Sequence, residues 1–146
     1  MKQKIIKVRE KLTTILDEIV IKLGSLNEEA IYEILNSRET EPFDSNWVKA
    51  YETLQQQLEN LNENEKKELD EFLEEIRKEA FIKTMKDSQS SDLAAYVSDD
   101  FEMIGAALIN EFTNSFIDSL LNIYASGIVP DNISIAMYEL EKIINE

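Results

Sequence analysis

Cysteine and histidine are both missing from this 146-residue chain. Without cysteine there is no disulfide and no thiolate for metal binding or nucleophilic attack; without histidine the commonest general base and metal ligand is also gone. Glycine occurs three times, at 24, 105 and 127, and proline twice, at 42 and 130. Glycines so scattered build no phosphate-cradling loop, dinucleotide fingerprint or nucleophile elbow, which excludes ordinary nucleotide-dependent enzymes. Long apolar runs are lacking too. Even the opening Met1-Lys2-Gln3-Lys4-Ile5-Ile6-Lys7 breaks its apolar residues with charge, so no signal peptide or membrane span is expected and the cytoplasm is the expected location.

Positive charge is the other scarcity. Fifteen Lys and Arg stand against thirty Asp and Glu, a net charge of −15. The imbalance is uneven: Met1 to Leu23 holds six basic and three acidic residues, Gly24 to Lys86 eight and sixteen, and Asp87 to Glu146 one and eleven. Such a field repels nucleic-acid phosphates and anionic lipid, whose binding rests on Lys and Arg displacing counterions, and it attracts basic proteins. The same charge serves solubility alone equally well; read as steering, it makes the expected partner a basic protein rather than a nucleic acid or a membrane.

What is present is a helical pattern. Apolar residues make up 43% of the chain, enough for a core at this length, and they recur at spacings of three and four. The expectation is one all-α domain over residues 1–146, a bundle of about six or seven helices. Ile5, Val8, Leu12, Ile15, Leu16, Ile19 and Leu23 form the first inward stripe, with Gly24 as a left-handed stop. Ser25 and Glu28 have the spacing of a capping box for a short second helix carrying Ile31, Ile34 and Leu35. Asp44 or Ser45 is expected to cap a third helix with Val48, Tyr51, Leu54, Leu58 and Leu61 inward and Trp47 anchoring its first turn. Asn62 and Glu65 open a fourth with Leu69, Phe72, Leu73, Ile76 and Ala80, and the short link predicts an antiparallel hairpin of helices three and four.

Leu93, Ala94 and Val97 begin a fifth helix, with a kink or restart expected where Ser98 precedes Asp99 and Asp100. Phe101, Ile104, Leu108 and Ile109 continue the pattern. Phe116, Leu120, Leu121 and Tyr124 form the next stripe, which Gly127 and Pro130 stop, and Ile133 to Ile144 make the last helix. Gly105, inside a helical stripe, predicts close approach of two helices.

Carboxylates are the only catalytic raw material in quantity. Asp70 with Glu71 and Glu74 with Glu75 lie opposite apolar stripes and read as hydrated surface, unsuited to general-acid work. Asp99, Asp100 and Glu102 cluster beside Tyr96 and Phe101, as helix capping or as an aromatic and acidic recognition patch. Neither Asp87 nor Asp92 starts a calcium loop, and a di-iron bundle needs histidine. Ser88, Ser90 and Ser91 form a polar connection with no base nearby in sequence. No metal, no cofactor and no enzymatic activity are expected. The basic stripe Lys4, Lys7 and Lys11 is expected to pair with acidic faces within or between chains.

The segment Tyr96-Val97-Ser98-Asp99-Asp100-Phe101, continuing through Ile104 and Leu108 to Tyr124-Ala125-Ser126-Gly127 and Pro130, resembles the C-terminal part of small acidic helical immunity proteins of bacterial polymorphic toxin systems. That resemblance implies a protein that docks on the basic active-site surface of a cognate toxin and blocks its substrate. It makes Tyr96, Asp99, Asp100 and Glu102 the candidate contacts, with Glu111 and Asp118 outlying. Two other readings fit the same composition: a phage-type inhibitor imitating nucleic-acid charge, and a structural helical homodimer using Ile6, Ile21, Ile117 and Ile123, apolar residues off the main stripes.

Overall fold

A computed structural model describes residues 1–145. Those residues form seven helices and no strand, packed into one bundle: α1 Lys2–Leu23, α2 Glu28–Arg38, α3 Phe43–Leu58, α4 Glu63–Ser88, α5 Ser91–Ile109, α6 Ser115–Ala125 and α7 Asn132–Ile144. Among them no helix is long and apolar enough to cross a membrane.

The centre is α5, twelve of whose nineteen residues are buried. Its Met103 to Ala107 stretch is apolar or small on every side, so it can be enclosed by neighbours rather than lie on a surface. α4 runs antiparallel beside it, joined through Gln89 and Ser90, and α1 lies across both. Gly105 sits where the three meet: a Cβ there would lie 3.3 Å from Phe72 and 3.5 Å from Leu12 and Leu73. The close approach expected from the sequence is thus real.

The predicted inward stripe of α1 is buried from Leu12 to Leu23, with Ile5 and Val8 partly covered. That of α4 is buried as predicted, and the Asn62 and Glu65 capping box is formed. Gly127 takes a left-handed φ of 92° after α6, and the Ile128 amide bonds the Ile123 carbonyl, closing the turn that only glycine adopts without strain.

Local expectations fail where a neighbour supplies the hydrogen bond. Gly24 is right-handed, with φ −63°, because α1 tightens into two i to i+3 bonds, Ser25 to Lys22 and Leu26 to Leu23. Asn27, not Ser25, caps α2; the Ser25 hydroxyl donates back to the Lys22 carbonyl. α3 begins at Phe43 with no side-chain cap, so Asp44 and Ser45 lie in its first turn, and it buries Phe43, Ala50 and Leu54 while Val48 is exposed. The hairpin is α4 with α5 rather than α3 with α4, since α3 packs mainly on α2, α5 and α6. α5 does not restart at Ser98: Ser90 caps it, and the buried Ser98 hydroxyl donates across to the Arg77 carbonyl. Ile117 and Ile123, expected on an outer surface, belong to the core; Ile6 and Ile21 are exposed.

Candidate partner-binding site

The last residue of α2 and the middle of α5 meet in a buried ion pair. Arg38 and Asp100 are 3% and 0% exposed, and two parallel guanidinium bonds of 2.8 Å join them. Asp100 also accepts from the Trp47 indole at 2.8 Å and from the Tyr124 hydroxyl, while Arg38 donates to the Pro130 carbonyl at 3.0 Å. The guanidinium lies between two rings, 4.6 Å from the centroid of Phe43 and 4.8 Å from that of Tyr96. Five elements of the fold converge on this one charge pair.

Burial opposes the Arg38 charge, but the adjacent Asp100 carboxylate outweighs it, and the guanidinium pKa is raised. Burial first, and Asp100 second, push the Tyr124 phenol well above its ordinary value. Beside this centre Asn132, first residue of α7, ties three segments together. Its side chain donates to the Ser37 carbonyl at 2.7 Å and the Thr40 hydroxyl at 2.9 Å, and accepts from the Phe43 amide at 2.9 Å.

The pair governs what the surface above it presents. From Gly24 to Val48 the sole basic residue is Arg38, whereas Glu28, Glu29, Glu33, Glu39, Glu41 and Asp44 all lie exposed in that stretch. With Arg38 drawn inside, the stretch from Gly24 to Val48 carries no exposed cation, and the next one along the chain is the exposed Lys49 of α3. Tyr96, half-buried on α5, closes over Arg38 and donates from its hydroxyl to Glu39 at 3.0 Å. Burial, then that bond, and more distantly the Asp44 charge, raise its pKa. Glu39, Asp44 and Tyr96 therefore form one anionic patch with an aromatic centre.

Of the residues singled out in sequence, Tyr96 lies in this patch and Asp99 one turn along α5. Asp100 does not: it is fully buried beneath the surface, and its place in a recognition patch is corrected to an interior one, where it holds Arg38, which lies against the Tyr96 ring, and accepts from Trp47. Asp99 and Glu102 turn toward α4, where both hold Arg77; burial opposes the Arg77 charge and these two carboxylates overcome it. Glu111 is brought to α1, 3.0 Å from Lys4, at the far end of α5 from Tyr96, roughly 20 Å away at the helical rise per residue. Asp118 is exposed in the first turn of α6. The predicted set is thus dispersed between this patch, the interior beneath it, Arg77 on α4, Lys4 on α1 and the start of α6, and it did not include Arg38, Glu39, Asp44 or Trp47. The stretch of 25 residues with one cation was the readable signal.

The remaining candidates have structural roles. Asp70, Glu71, Glu74 and Glu75 are exposed, and Glu75 pairs with Arg9. The Ser90 hydroxyl caps α5, and that of Ser88 bonds the Thr84 carbonyl. Lys4 pairs within the chain, as expected of the α1 basic stripe.

A model of the family described as immunity protein PIM1 matches residues 10–131, most of the chain. No curated protein and no solved structure matches it.

Proposed function

Since the chain belongs to the immunity protein PIM1 family, we propose that it neutralises a cognate bacterial toxin by laying the anionic face of α2, the start of α3 and Tyr96 over a basic surface of that toxin. Immunity proteins act by binding a toxin, so the chain works as an inhibitor and not as an enzyme. The observation that carries the choice of face is the burial of Arg38, which leaves six carboxylates between Gly24 and Val48 with no exposed cation among them.

Charge of one sign over such a face accelerates encounter with a basic partner and discriminates against acidic bystanders. Affinity needs desolvated anchors as well, and the exposed ring of Tyr32 and the half-buried ring of Tyr96 supply aromatic surface there. Tyr96 is held by stacking on Arg38 and by its bond to Glu39, so little side-chain freedom is lost when a toxin covers it. Asp99 and Glu102 extend the acidic rim but are partly neutralised by Arg77. Glu111 and Asp118 lie beyond it.

The test is rescue of cells expressing the cognate toxin, together with binding measured at rising salt. The double substitution Glu39→Lys with Asp44→Lys is expected to weaken binding by more than about tenfold and reduce rescue without lowering the melting temperature, while Glu71→Lys on α4 changes neither. Salt-independent binding unaffected by the Glu39 and Asp44 substitutions would overturn this choice of face.

A further inference from the structure

α7 is the one helix that covers little and is itself hardly covered. Among its described residues none is buried, and five large apolar side chains stand out from it: Ile133 67%, Met137 59%, Leu140 57%, Ile143 68% and Ile144 70% exposed. Ile133, Met137, Leu140 and Ile144 are spaced four, three and four apart, the interval of a two-helix seam. Ile135 and Tyr138 face the bundle instead, Ile135 packing on the core and Tyr138 accepting from Asn122. The helix is therefore fastened by one thin side and turns its apolar side to solvent. Its carboxylates and its single lysine, Lys142, flank the stripe rather than interrupt it.

We propose that this stripe is a self-association surface: a second copy of the chain pairs with it, α7 against α7 about a twofold axis. The spacing is self-complementary, because an antiparallel partner sets Ile133 opposite Ile144 and Met137 opposite Leu140 of the other copy. Five side chains exposing on the order of 100 Å² each from either copy bring about 1,000 Å² of apolar surface together, and the flanking polar residues raise the total into the range of a stable interface. The antiparallel sense also suits the charge. Asn132 anchors the start of α7 beside Ser37 and Thr40, next to the anionic face, so antiparallel pairing holds the two anionic faces at opposite ends of the seam.

The seam is separable from toxin binding. The family match ends at residue 131, the N-cap of α7, so the apolar stripe lies outside the matched segment. A dimer joined through α7 leaves both anionic faces free. Two copies each carrying −15 repel one another, so an apolar seam between them strengthens as salt screens that repulsion. Toxin binding through opposite charges weakens under the same change.

Sedimentation equilibrium of the full chain, from micromolar to hundreds of micromolar and at low and high salt, tests this. The expected result is a mass rising from 16.9 kDa toward twice that value with concentration, at lower concentration when salt is high. Met137→Asp with Leu140→Asp should raise the dimer dissociation constant at least about a hundredfold, with unchanged circular dichroism since both side chains are exposed. Ile21→Asp, on α1 and off the seam, should leave it unchanged. A monomer under all conditions, association weakened by salt, or a dimer indifferent to the α7 substitutions overturns the proposal. So does loss of toxin binding in the α7 double variant with no change of mass, which gives this face to the toxin. Loss of association with toxin rescue intact supports the seam independently of which face binds toxin.

Discussion

Replacing Asp100 with Asn removes one charge and almost no volume, so it isolates the buried ion pair. Arg38 would then keep its position at 3% exposure, between the Phe43 and Tyr96 rings, without the carboxylate that compensates its desolvation. Breaking a buried pair by removing one partner costs about 3–5 kcal/mol, and the amide oxygen retained by Asn places this case near the lower end. Against a total stability of about 5–15 kcal/mol that is a large fraction. At the few degrees per kcal/mol typical of a chain of this length, it lowers the melting temperature by roughly 10 °C.

Urea unfolding measures the change directly, and the single tryptophan reports on the site, because the Trp47 indole donates to Asp100 itself. Arg38→Met should cost a similar amount, leaving Asp100 with only the neutral Trp47 and Tyr124 donors. The two substitutions together should cost less than the sum of each alone, by about 1.5 kcal/mol or more, since neither charge then remains uncompensated. An Asp100→Asn loss below about 1 kcal/mol, or strict additivity of the pair, would refute the claim that this ion pair holds α2, α3, α5 and α6 together.

Two further outcomes follow from the core. Tyr124 has a folded-state pKa well above its ordinary value, and those of Tyr96 and Lys83 are raised as well, Lys83 by the bonds it donates to Asp17 and Glu79. Groups raised on folding stabilise fully below their unfolded pKa and lose that contribution as pH rises. Stability should accordingly fall above about pH 10, where unfolded tyrosine ionises, and Tyr124→Phe should flatten that decline while costing about 1.5–3 kcal/mol at neutral pH through the lost bond to Asp100; urea titrations between about pH 9 and 11 check both. Gly105→Leu should cost about 3 kcal/mol, because the side chain enters a space already bounded by Phe72, Leu12 and Leu73, and thermal unfolding of the variant reads the loss.

Much of the architecture was legible in the chain. The seven helices of the described residues lie where the three-and-four spacing puts them, and the buried residues of α1 and α4 are almost all the predicted ones, whereas α5 also buries Ser98, Asp100, Met103, Ala106 and Ala107, which its stripe did not include. The Asn62 cap, the Gly127 stop and the tight contact at Gly105 were likewise readable, because each depends on residues near in sequence or on one residue's steric limits. The site was legible only in outline. Tyr96 does lie at the surface beside Glu39, but Asp100 was read as surface because Ser98-Asp99-Asp100 has the composition of a helix start.

By itself the sequence determined the fold class, the absence of thiol and imidazole chemistry, and a net charge of −15. These follow from composition and periodicity, which do not depend on where distant residues meet. The tertiary structure decided which acids face outward. Asp100 is buried because Arg38, 62 residues earlier, reaches it from the end of α2, and that same contact strips the stretch from Gly24 to Val48 of its only cation. Burial of a charge depends on a partner able to compensate its desolvation, and such a partner is set by packing between helices, at a sequence separation that no local pattern encodes.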